Sequence, residues 1–164
     1  MHDRAWLTYL SNSSYLDGCL VLAYSLRKVR SRYPLVVMVP ASPPLQPSDL
    51  EQLAKVSNIV IHPIDVSFWK PPKAASPSLQ SSSSDKEDGD EYLWDYYVHT
   101  WAKLGAWGLI EYKRLVLMDC DMLVRINMDQ LLNERPTLTA ITKDWVAAAH
   151  ACTCNPMQNP KYPA

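Results

Sequence analysis

The sequence lacks a charge surplus of either sign. Lys and Arg number 16 against 17 Asp and Glu, for a formal net charge of −1. Nothing in that balance favours nucleic acid or an anionic membrane as partner. It also lacks long apolar runs; none approaches the roughly 20 residues that a membrane span needs. The opening "MHDRAWLTYL" has no signal-peptide layout, because its charged residues precede too short an apolar stretch. The cytoplasm is therefore the expected compartment. Cysteine is scarce too: Cys19, Cys120, Cys152 and Cys154 are too few and too unevenly spaced for a disulfide scaffold. No internal repeat is visible.

What is present is globular composition, with 48% hydrophobic and 20% charged residues over 164 positions. That length suits a single domain, 1–164, able to bury a core. "AWLTYL" (5–10) is short, apolar and rich in strand formers. Asn12, Ser13 and Ser14 are helix-capping types, and Ser14 with Asp17 has capping-box spacing. From Tyr15 to Arg30 the residues Leu16, Cys19, Leu20, Ala23, Tyr24 and Leu26 recur at helical spacing, and Arg27, Lys28 and Arg30 crowd the end where cations suit the helix dipole. "LVVMV" (35–39) reads as a strand buried on both faces. Ser48 with Glu51 gives a second capping box before "DLEQLAKV", and "NIVIHPID" is a third strand.

The order strand, helix, strand, helix, strand predicts an α/β fold with a mostly parallel sheet and helices on both faces. Residues 71–91, "PPKAASPSLQSSSSDKEDGDE", interrupt it with Pro, Ser and acid and almost nothing to bury. They read as a flexible surface insertion. A helical period returns through "LWDYYVHTWAKLGAWGLIEY", whose Trp94, Trp101 and Trp107 are expected in the core. "RLVLM" is the next buried strand, and "INMDQLL" begins a short helix.

That last strand runs into Asp119 and Asp121. In open α/β sheets, ligands bind outside the carboxyl ends of the strands. Residues i and i+2 of an extended chain share one side, so the two carboxylates converge and repel unless a cation compensates. Hard oxygens suit Mg²⁺ or Mn²⁺, which take one or two carboxylates and fill the shell with water and phosphate oxygens. The pair therefore points to a metal that clamps a diphosphate.

Three separated blocks carry a family resemblance: "AWLTYLSNSSYLDGCLVLAYSLRKVRSRYPLVVMV", "YVHTWAKLGAWGLIEYKRLVLMDCDMLV" and "INMDQLL". They resemble family 8 glycosyltransferases, the group of glycogenin and the galactinol synthases. The resemblance implies a Rossmann-like nucleotide-diphospho-sugar transferase fold of the GT-A type. It also implies retaining transfer of a hexose from UDP-glucose or UDP-galactose, with Mn²⁺ or Mg²⁺ as cofactor. It places Tyr9, Ser11, Asn12 and Tyr15 on the uridine and ribose, Tyr15 as a base-stacking ring or else a core aromatic. Lys103 falls beside the donor phosphates, as the candidate that stabilises the leaving group, and His99 near a nucleotide contact. Cys120 offers its backbone to the nucleotide or else fills core space, and Asp119 and Asp121 bind the metal. The acceptor, whether sugar, polyol or protein, is not specified.

The family pattern continues with an Asn-Ser-Gly segment, a later acidic motif and a metal-binding histidine that do not occur before Ala164. The expectation is therefore the donor-binding part of the enzyme, apparently truncated and with low or no turnover alone. Two rivals stand beside it. One is a non-catalytic UDP-sugar-binding or scaffold protein on the same fold. The other is a soft-metal or redox module built on His150, Cys152 and Cys154 in "HACTC".

Overall fold

A computed structural model describes residues 3–68 and 100–133. These all fall in one compact unit, Met1–Asn133. The insertion at 71–91, His99, Trp94 and the "HACTC" segment lie outside the described residues.

Four parallel strands form the sheet: β1 (Arg4–Tyr9), β2 (Leu35–Pro40), β3 (Ile59–Ile64) and β4 (Arg114–Leu117), in spatial order β3-β2-β1-β4. Trp6 is in register with Leu35 on one side and Val116 on the other. The side-chain period of two explains the apolar run of the central strands. Trp6, Leu10, Leu35, Val37 and Val39 point into one core cluster, while Ala5, Leu7, Tyr9, Val36 and Met38 point into a second. β3 is an edge strand among the described residues, which accommodates Pro63. β4, expected to be fully buried, is only half-buried.

The first cluster is closed by α1 (Leu16–Lys28) and α2 (Pro47–Ala54), with Leu22, Leu26 and Leu53 buried in it. The second is closed by a 3-10 segment, Ala102–Gly108, with Ala102 and Leu109 packed against the sheet. The helical period expected to run through residue 112 thus ends in the tighter helix. This turns Trp107 outward to 59% exposure and leaves Trp101 half-buried, against their expected place in the core.

Neither capping box forms. Asn12 takes the first role, accepting a hydrogen bond from the Ser14 N–H and opening a 3-10 turn, Ser13–Tyr15, before α1. α2 starts after Gln46 with Pro47 in its first turn, where the missing N–H costs nothing. α1 stops at Lys28 rather than Arg30. Arg30 adopts φ 58°, its N–H donates to the Arg27 carbonyl, and the Ser31 N–H donates to the Leu26 carbonyl. That is a Schellman ending with arginine where glycine is usual. Tyr24, expected on the packed face of this helix, is instead 61% exposed. The "INMDQLL" segment forms a short 3-10 turn, Asp129–Leu131.

Candidate functional site

The chain passes from β1 outward through β2 to β3, then returns to place β4 on the other side of β1. The strand order therefore reverses between β1 and β4, which makes their carboxyl ends the topological switch point. A cleft of about 270 Å³ lies there, lined by Tyr9, Ser11, Asn12, Tyr15, Thr100, Lys103, Asp119, Cys120 and Asp121.

Each wall has a local cause. β1 ends at Tyr9, and the Leu10 N–H still donates to the Met38 carbonyl at 2.9 Å, so the chain leaves the sheet only at Ser11. Asn12 then folds the turn that presents Tyr15. Tyr15 is 40% exposed against the cleft, so the core-aromatic alternative does not hold. Ser13 donates to the buried carboxylate of Asp49 at 2.5 Å, tying this turn to the first turn of α2.

The opposite wall comes from β4. The strand stops at Leu117, and the Met118 N–H donates to the Leu7 carbonyl at 2.9 Å. Asp119 to Met122 then form a turn, closed by the Met122 N–H on the Asp119 carbonyl. The two aspartates thus sit on a turn rather than on extended chain, and both still line the cleft. Cys120 between them packs partly on the first core cluster. Burial pushes its thiol pKa up, and the neighbouring Asp121 carboxylate adds to that effect. It remains a protonated, space-filling thiol at neutral pH.

Lys103 projects from the 3-10 segment and forms an ion pair with Asp119. The lysine is half-buried and Asp119 is exposed. Asp121 has no ion pair among those found within the described residues. Tyr9 is 5% exposed, and burial raises its pKa. Its buried hydroxyl has no hydrogen-bond partner among the described residues.

A divalent cation suits this donor set in part. Asp119 and Asp121 supply two hard carboxylates beside an open cleft, the minimum that Mg²⁺ or Mn²⁺ uses when phosphate and water complete the shell. Among the described residues, no group of three or more His, Cys, Asp or Glu side chains is placed to hold a metal ion. No helix among them is long and apolar enough to cross a membrane.

Eight of the nine site residues singled out from sequence therefore meet in one cleft; His99 is the ninth and lies outside the described residues. Two contributors carried no sequence signal. Thr100 is an ordinary polar residue one helical turn before Lys103. Asp49 reaches Ser13 across 36 positions. The single-residue pattern of either would suit any solvated surface.

Comparison with known proteins supplies the family. The chain is 31% identical over 132 residues to galactinol synthase 1 of Arabidopsis thaliana, covering 80% of this chain and 33% of that protein. It is 33% identical over 128 residues to galactinol synthase 1 of Solanum lycopersicum, covering 77% and 35%. It thus spans about a third of the length of these relatives. The family model for Glycosyl transferase family 8 matches residues 6–161. With both the turn after β1 and the Asp-Cys-Asp turn inside that match, the chain belongs to glycosyl transferase family 8.

Proposed function

We propose that the cleft holds the donor of a metal-dependent, retaining hexosyl transfer. The donor is a UDP-hexose, UDP-glucose or UDP-galactose, and the acceptor is a sugar, a polyol or a protein. One observation carries this reading: three separate segments deliver the nucleotide-side residues, a lysine and two carboxylates to a single cleft at the switch point of a parallel sheet. The likeness to proteins named galactinol synthases supports the same class of chemistry.

The division of labour follows from position. Tyr15 offers an exposed ring on which a base stacks, and Ser11 and Asn12 offer polar atoms for uracil and ribose. Asp119 and Asp121 would hold Mn²⁺ or Mg²⁺ against the diphosphate. Bound there, the cation supplies Lewis-acid stabilisation of the charge that develops as UDP departs. Lys103 brings an ammonium to the same wall and offsets part of that charge directly. Asp119 meanwhile neutralises Lys103 in the protein without nucleotide, so neither group stands uncompensated beside the cleft.

The test is calorimetric titration of UDP into the 164-residue chain with and without Mn²⁺, with Zn²⁺ in parallel. The reading predicts UDP binding that requires Mn²⁺ and disappears in Asp121→Asn. Tight Zn²⁺ binding without a UDP response would instead support the His150, Cys152 and Cys154 module. UDP binding with no hexose transfer or donor hydrolysis would point to a degenerate or truncated enzyme.

A further inference from the structure

We propose that Gly18 is a positioning residue for the Asp119–Asp121 turn: the absence of a side chain sets how closely α1 approaches that turn. The inference rests on the donor-binding reading of the cleft.

Gly18 is the third residue of α1, where its intrinsic preference is poor and alanine is the better helix former. A violated local preference asks for a compensating reason. The reason lies across the helix surface. A β-carbon at Gly18 would stand 3.2 Å from the Cys120 carbonyl oxygen, 3.3 Å from the Asp121 Cα and 3.6 Å from the Asp121 Cβ. The two nearest atoms belong to the backbone, so no flexible side-chain end can swing aside.

The turn is also held on both flanks. Met118 donates its N–H to β1 at the Leu7 carbonyl, and Val124 donates its N–H to Ser25 Oγ on α1 itself at 3.0 Å. Seven positions further along the same helix, Ser25 thus fixes the far side of the segment that Gly18 touches. A methyl group at position 18 would push the Asp121 backbone away from the helix while both anchors stay in place. The displacement would then fall on the two carboxylates. Displacements well under 1 Å matter for a site whose ligands must converge on one ion.

Gly108 is the internal control, since a β-carbon there meets nothing within 4 Å. The experiment compares wild type, Gly18→Ala and Gly108→Ala for Mn²⁺-supported UDP affinity. It also compares thermal stability and the amide NMR signals of Cys120 and Asp121 without ligand. The expected result for Gly18→Ala is a folded protein with shifted Cys120 and Asp121 signals and affinity lowered about tenfold or more. Gly108→Ala should match wild type.

Unchanged affinity and signals in Gly18→Ala, with the melting temperature raised as helix preference alone demands, would overturn the inference. Loss of the folded spectrum in Gly18→Ala alone would overturn it too, by making the role one of packing. Should wild type bind neither Mn²⁺ nor UDP, the donor-binding reading fails and this inference with it. Should wild type bind and Gly18→Ala bind equally well, only the inference fails.

Discussion

The two ends of the sheet treat polar groups in opposite ways. Near the amino-terminal ends of the strands, Trp6 Nε1 donates to Ser31 Oγ, and Ser31 donates in turn to Asp129 Oδ1 at 2.6 Å. The second oxygen of Asp129 accepts the Arg32 N–H at 3.0 Å and faces the Arg32 guanidinium. Asp129 is buried with both oxygens engaged. At the carboxyl ends, Asp119 and Asp121 are exposed, and the buried Tyr9 hydroxyl has no partner among the described residues. A saturated carboxylate holds the fold together, whereas an exposed pair keeps acceptor capacity for something else. Residue type does not separate these aspartates; their surroundings do.

The strongest way to break this contrast is Asp129→Ala. It strands the half-buried Ser31 hydroxyl and the Arg32 N–H, and should lower unfolding free energy by about 2–4 kcal/mol. Denaturant unfolding checks this, and the fraction that remains folded should bind UDP normally. A loss below 1 kcal/mol, on the scale of an exposed contact, would remove the distinction between the two ends.

Alkaline stability probes the interior next to the open end. Burial pushes the Cys19 thiol up to about 12 from 9.0. Its folded pKa is raised, so its contribution is fully present below pH 9 and is lost as pH climbs towards 12. The slope should reach about 1.4 kcal/mol per pH unit. Chemical denaturation between pH 8 and 11 should show this decline, and Cys19→Ala should flatten it. An unchanged slope in the variant would assign the decline to other groups.

Lys103→Met isolates the cationic wall. UDP affinity should fall about tenfold, the scale of one charge-assisted contact, while unfolding free energy changes by less than about 0.5 kcal/mol because the ion pair with Asp119 is largely solvated. A stability loss larger than the binding loss would make this pair structural.

Thr8 sharpens the comparison at its smallest scale. It is fully buried and its hydroxyl has no partner among the described residues, yet it does not line the cleft. Thr8→Val removes an unsatisfied buried group and should raise stability by up to about 1 kcal/mol without altering UDP affinity.

How much of this was legible in the sequence depended on the range of the cause. The parallel sheet was readable because β1 and β2 are buried on both faces, and "AWLTYL" and "LVVMV" carry that burial as unbroken apolar runs. The Asp119 and Asp121 pair was readable because an apolar run ends in two like charges, but the turn that carries it was not. Local alternatives were harder. Asn12, Ser13 and Ser14 all have capping chemistry, and only the fold selects Asn12. Arg30 takes a left-handed turn that nothing in its side chain announces. Trp107 looked like core until the last helical turns tightened and rotated it outward. Gly18 and Asp49 act through partners about 100 and 36 positions away, so no local pattern carried them.

The central claim is that ligand chemistry belongs to the carboxyl ends of β1 and β4, while Asp129 at the amino end serves structure alone. Paramagnetic broadening by Mn²⁺ in the presence of UDP tests it most directly, because the effect falls off steeply with distance from the ion. The account predicts that amide signals of Asp119, Cys120 and Asp121 vanish first and that those of Asn12, Gly18 and Lys103 weaken. Ser31, Arg32 and Asp129 should stay sharp. Broadening centred on Asp129, or on His150 to Cys154 with the Asp119–Asp121 turn untouched, would contradict it.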